Sequence, residues 1–162
     1  MDIELVDVEG AVRSWLTGYP GLTGAGGALV AGVHLGQPRS PAKGAVAGMT
    51  LVGPRSLSDV SDDARVSFRV QAVGSERGVR ELVGSAMRAL IRAVLALQDG
   101  GRVVQTRRGD WVRLLVAGDT TGPIDGGDYG GEYSQVFDAL FRCQATSIPY
   151  GAGVYGAGPY GG

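Results

Sequence analysis

Residues 64–98 constrain this chain more than any other stretch, because two different periods follow one another with almost no gap. Between Ala64 and Val73, the residues Ala64, Val66, Phe68, Val70 and Ala72 fall on one side, and Arg65, Ser67, Arg69 and Gln71 fall on the other. An apolar–polar period of two describes a strand with one buried face and one wetted or partner-facing face. From Glu76 the period becomes helical, with Val79, Leu82, Val83, Ala86, Leu90, Val94 and Leu97 on one side and Arg77, Arg80, Arg88 and Arg92 on the other. The spacing predicts a helix from Glu76 to Gln98, N-capped by Ser75 and closed by Gly100. Such a helix is about 34 Å long and has to lie across a sheet to bury its apolar stripe. Asp59, Asp62 and Asp63, just before the strand, predict an acidic loop.

The flanking segments extend this plan. Val8, Ala11, Val12, Trp15 and Leu16 share one helical face, Asp7 is placed to cap and Glu9 sits in the first turn, so a helix is predicted over residues 6–18, stopped by Gly18 and Pro20. Residues 28–35 and 45–52 read as strands, the second weakened by Gly48, with the Pro-bearing loop 37–43 between them. Residues 102–107 and 111–117 form a hairpin turned by Arg108-Gly109-Asp110. Residues 118–131 hold six glycines and a proline and read as a long surface loop. A last strand covers residues 132–145, with Tyr133, Phe137, Ala139, Phe141 and Cys143 on one face and Val136, Asp138, Leu140 and Arg142 on the other.

The order of these elements is that of an α+β domain over residues 1–146. It is a mostly antiparallel sheet with the N-terminal helix and one long helix packed on one face. Residues 147–162 are different. Glycine makes up 29 of 162 residues, and the repeat PYGAG, VYGAG, PYGG closes the chain. Such a tail offers little to bury and cannot hold itself in place. Its tyrosines, Tyr150, Tyr155 and Tyr160, recur every five residues and suit docking on another surface.

Composition narrows the function classes. A hydrophobic share of 44% argues against wholesale disorder. A net charge of −1 argues against a free-standing nucleic-acid binder. The single cysteine, Cys143, forms no internal disulfide and fits a reducing compartment. The acidic start Met1-Asp2-Ile3-Glu4 is not that of a secretory signal, and no apolar run is long enough to span a membrane.

A search for reactive chemistry returns little. The one histidine, His34, lies on a predicted strand, and a packed Cys143 is an inert thiol. Two acidic loops, Asp59/Asp62/Asp63 and Asp119/Asp125/Asp128, do not match a calcium-loop spacing. The glycines at 24–27 open a strand rather than a helix, which is the wrong context for a phosphate loop. The Arg80/Arg88/Arg92 row could contact phosphates, as in a nucleic-acid-binding module, but in a chain that is not basic the favoured reading is a row that faces solvent or meets acidic groups of a neighbour. No catalytic, metal-binding or cofactor-binding residue is predicted, and the chain does not read as an enzyme.

The arrangement itself is the stronger clue. A helix of the type DVEGAVRSWL leads into short strands, then ARVSFRVQAVGS, the helix ERGVRELVGSAMRALIRAVLAL, a hairpin, a Gly/Pro/Asp loop and the strand YSQVFDALFRCQA. Over residues 2–146 this resembles the tail terminator (tail completion, or head–tail joining) proteins of long-tailed bacteriophages. The Gly/Tyr tail lies outside that resemblance. The resemblance implies a structural virion protein, assembled in the host cytoplasm. It implies a homo-oligomeric ring, usually of six copies, at the head-proximal end of the tail tube. The ring contacts the tail tube protein and the head connector or stopper, and DNA passes through it without sequence-specific binding. Other neck components and tube subunits are the nearest alternatives, and a small ligand-binding domain or enzyme is a more distant one. The residues expected to contact a neighbouring copy or partner are Arg107, Arg108, Asp110, Trp111, Phe137, Phe141, Tyr150, Tyr155 and Tyr160.

Overall fold

The computed structural model describes residues 7–37, 39, 41, 43–57, 61–74, 76–106, 108–129 and 131–146. Helix α1 (Val8–Gly18) starts where Asp7 accepts a hydrogen bond from the Gly10 amide at 3.0 Å, and it buries Val8, Ala11, Val12 and Leu16. Strands β1 (Leu29–Leu35), β2 (Ala45–Leu57) and β3 (Ser61–Val73) follow, then α2 (Arg77–Leu95), β4 (Arg102–Gln105), β5 (Trp111–Tyr129) and β6 (Glu132–Ala145). The fold is α+β, as the element order predicts.

The six strands form one sheet in the order β1-β2-β3-β6-β5-β4. All pairings are antiparallel except β1 with β2, which run parallel. Parallel neighbours need a return path, and residues 36–44 connect the two strands. The core lies between the sheet and the two helices. At its centre Phe68 stacks on Phe137 with ring centroids 6.4 Å apart and meets Phe141 edge-on at 6.0 Å. From α2, Val83, Ala86, Met87, Leu90, Ala93 and Val94 pack onto these rings' side of the sheet.

The sheet curls so that one helix reaches both of its edges. Arg13 Nε donates to the Val33 carbonyl of edge strand β1 at 3.0 Å, and Ser14 Oγ donates to the Gln105 carbonyl of edge strand β4 at 2.7 Å. Trp15 Nε1 donates to the Ala93 carbonyl of α2 at 2.7 Å, which ties the two helices together. Adjacent side chains on α1 therefore hold three elements.

Several sequence expectations are corrected. Residues 118–129 are strand, not loop: β5 stays paired with β6 as far as Tyr129↔Glu132, with register shifts after Val116, Thr121 and Asp125. Bulges are where a ladder tolerates glycine and where extra residues are absorbed. Strand β2 likewise runs past Val52 to Leu57. Asp62 and Asp63 belong to β3, and Asp62 is fully buried; Asp59 lies outside the described residues. Helix α2 ends at Leu95, because Leu97 turns into the core and the last amides bond three residues back, Leu97 to Val94 and Gln98 to Leu95. Its N-cap is Glu76, without a side-chain cap bond; Ser75 lies outside the described residues.

Candidate interaction surface

The helices cover one face of the sheet. The other face is built from the alternate residues of its central strands. In β3 and β6 the register places Arg65 beside Leu140, Ser67 beside Asp138 and Arg69 beside Val136. Strand β2 adds Val52 next to Arg65, and β5 adds Ile124 next to Val136 and Thr121 next to Asp138. Val52 and Ile124 are 40% and 60% exposed, while Val136 and Leu140 are half-buried. The result is two rows, each pairing an arginine with apolar groups, separated by the polar row Ser67–Asp138–Thr121.

Polar groups on this face are unevenly satisfied. Arg142 forks onto Asp63 with bonds of 2.8 and 2.9 Å, and that hydrogen bonding, followed by the charge of Asp63, raises the Arg142 pKa. Arg69 Nη1 donates to Ser134 Oγ at 2.7 Å. Asp138 differs, since its Oδ1 is buried and has no hydrogen-bond partner. A buried carboxylate oxygen without a donor is costly, and this one is shielded by the protein's own chain.

The β4–β5 turn borders this face at one end of the sheet. Thr106 and Asp110 bond through their backbones at 2.8 Å, Gly109 takes φ 94°, and Arg108 pairs with Asp110 at 3.2 Å on the surface. Trp111 is half-buried at the start of β5. Because Val112 pairs with Ala145, the turn sits at the end of the sheet where the chain leaves β6. Arg108, Asp110 and Trp111 are thus brought together as accessible groups. Arg107, Tyr150, Tyr155 and Tyr160 lie outside the described residues.

Phe137 and Phe141 are a correction. They are 2% and 0% exposed and point into the protein's own core, so neither is offered to a partner. Their strand does present apolar groups outward, but these are Val136 and Leu140, one residue out of phase. The alternation of β3 already marked Arg65 and Arg69 as outward-facing. Ile124 carried no such signal, because its glycine-rich surroundings concealed a strand.

The groups with reactive potential occupy ordinary structural positions. His34 Nε2 lies 2.7 Å from the Ala31 carbonyl on edge strand β1. Burial pushes the Cys143 thiol up to about 12, with Asp62 and then Asp7 adding to the rise, so it stays protonated and unreactive at neutral pH. Arg80 lies over the Tyr133 ring at 4.6 Å and reaches Asp125 at 3.8 Å, so it is engaged within its own chain. Arg88 and Arg92 are exposed on α2. Among the described residues no three His, Cys, Asp or Glu side chains are grouped to hold a metal ion, and no helix is long and apolar enough to cross a membrane.

No protein-family model matches this sequence, and no curated protein matches it significantly.

Proposed function

We propose that this protein is a ring-forming structural subunit of a bacteriophage neck, a tail terminator that ends the tail tube and joins it to the head. The observation that carries this reading is the outer sheet face, where Val52 and Leu140 flank Arg65, Val136 and Ile124 continue the row of Arg69, and Ser67, Asp138 and Thr121 lie between the two rows. A mixed apolar and cationic face of this kind suits a protein partner. A ring also needs a heterologous contact that closes by rotation, joining two different surfaces of the same subunit. The edge strands are poorly suited to that contact, since Arg13 and Ser14 already occupy the Val33 and Gln105 carbonyls. Faces and turns remain, and the Arg108–Asp110 turn is the nearest second surface.

The order helix, three strands, long helix, hairpin and final strand supports the resemblance to tail terminators, apart from the Gly/Pro/Asp loop, which is strand β5 here. The test is the mass of the purified full chain in solution, alone and with its tube protein. A closed ring of a few copies that caps tubes supports the reading. A protein that stacks into long tubes is a tube subunit, and one that stays a monomer at all concentrations and ignores tubes overturns the proposal.

A further inference from the structure

Among the described residues nothing covers the outer sheet face, and residues 147–162 follow β6. We infer that residues 147–162 of one copy lie along the outer sheet face of the neighbouring copy, with their tyrosines over Arg65 and Arg69. This rests on the ring reading and names the contact that would join the copies.

Reach and direction favour a neighbour. Strand β6 is central in the sheet and runs out at Ala145, beside the Arg108–Asp110 turn. Fully extended, residues 147–162 span about 50 Å. A domain of this size has a diameter of about 40 Å, so a chain that continues onward leaves its own subunit and can cross the next. Ile148-Pro149 comes early in the segment. The residue before a proline is held extended, which opposes an immediate reversal onto the parent face.

Chemistry fits as well. The segment carries no charged side chain, and its large groups are three tyrosines, one isoleucine and one valine. The face it would cover sets apolar groups beside Arg65 and Arg69 on either side of a polar row, and this protein already stacks an arginine on a tyrosine ring at Arg80 and Tyr133. Arg65 and Arg69 lie four residues apart on one face of β3, about 13 Å. Tyrosines five residues apart on an extended polyproline-like chain are separated by about 15 Å, a near match.

The experiment compares the mass of the full chain, a chain ending at Thr146, and Arg65→Gln/Arg69→Gln in the full chain. Circular dichroism checks that each is folded. The inference expects the full chain to assemble and both variants to self-associate at least tenfold more weakly while remaining folded. Equal assembly of all three overturns the inference and leaves the ring reading standing. A full chain that never assembles overturns the ring reading and this inference with it. A photo-crosslinking residue at Tyr155, in rings mixed from isotopically light and heavy copies, then identifies the face. Light–heavy crosslinks to peptides of β3 or β6 support the inference, and crosslinks confined to one copy overturn it.

Discussion

At the scale of single residues, the aromatic cluster decides stability. Phe68 is fully buried against Phe137 and Phe141, so nothing in solvent compensates its loss. Phe68→Ala is expected to cost about 3–5 kcal/mol in denaturant unfolding. Glycines 100 and 101 separate two effects that are usually mixed. Both have left-handed φ, 91° and 74°. A Cβ at Gly100 meets open space, whereas one at Gly101 runs into the Leu114 carbonyl and the Leu115 side chain. Gly100→Ala should therefore cost about 1–2 kcal/mol from backbone conformation alone. Gly101→Ala should cost about 1–3 kcal/mol more, because the backbone of β5 cannot yield cheaply. The buried thiol makes a third residue-scale prediction. Cys143 keeps its proton in the fold up to about 12, whereas an ordinary thiol releases it near 9.0. The unfolded chain therefore binds fewer protons between those limits, and stability falls as pH rises through them. The slope approaches about 1.4 kcal/mol per pH unit from this group. Comparing alkaline unfolding of the wild type with Cys143→Ala isolates it, and equal slopes would show that the thiol is not responsible.

At the scale of elements, α1 is the piece whose removal should be felt furthest away. Its Arg13 and Ser14 hold opposite edges of the sheet, β1 and β4. Arg13→Ala/Ser14→Ala is expected to lose about 1 kcal/mol for each bond. More tellingly, amide exchange should accelerate in both β1 and β4 while the β3–β6 pair stays protected; uniform acceleration would instead mean that the helix merely adds core. Nothing in the sequence announces this clasp, since a serine and an arginine on a helix name no partner. What the sequence did make readable were the elements with a long, unbroken period: the alternation of β3 and the helical stripe of α2. The second half of β5 was hidden because glycine and proline dominate its composition, while its strand character comes from pairing with β6, a contact no local pattern records. The same limit explains Asp62, which reads as loop from its acidic neighbours and is buried by its place on β3. On β6 the alternation separates two faces correctly but does not say which one meets the helices. The outward role therefore fell on Phe137 and Phe141 instead of Val136 and Leu140.

At the scale of the whole molecule, the question is what belongs to the folding unit and what belongs to assembly. The core closes within Val8–Cys143, and its members come from both helices and all six strands. A chain ending at Thr146 should then unfold as one cooperative unit with the same denaturant slope, because it exposes nearly the same surface on unfolding. Its thermal midpoint should stay within about 2–4 °C of the full chain, the shift that a 1 kcal/mol change produces at this size. That comparison belongs in dilute solution, where copies are separate. At concentrations where the full chain assembles, its midpoint should rise with concentration, because association stabilises only the folded state. The truncated chain, associating at least tenfold more weakly, should show no such rise over the same concentrations. The two measurements divide the polypeptide by physical role: residues whose loss lowers the midpoint of the separate subunit hold the fold, and residues whose loss removes only the concentration dependence hold the ring. A large drop in the dilute midpoint after truncation would place residues 147–162 in the fold itself, and the division drawn at Thr146 would have to move.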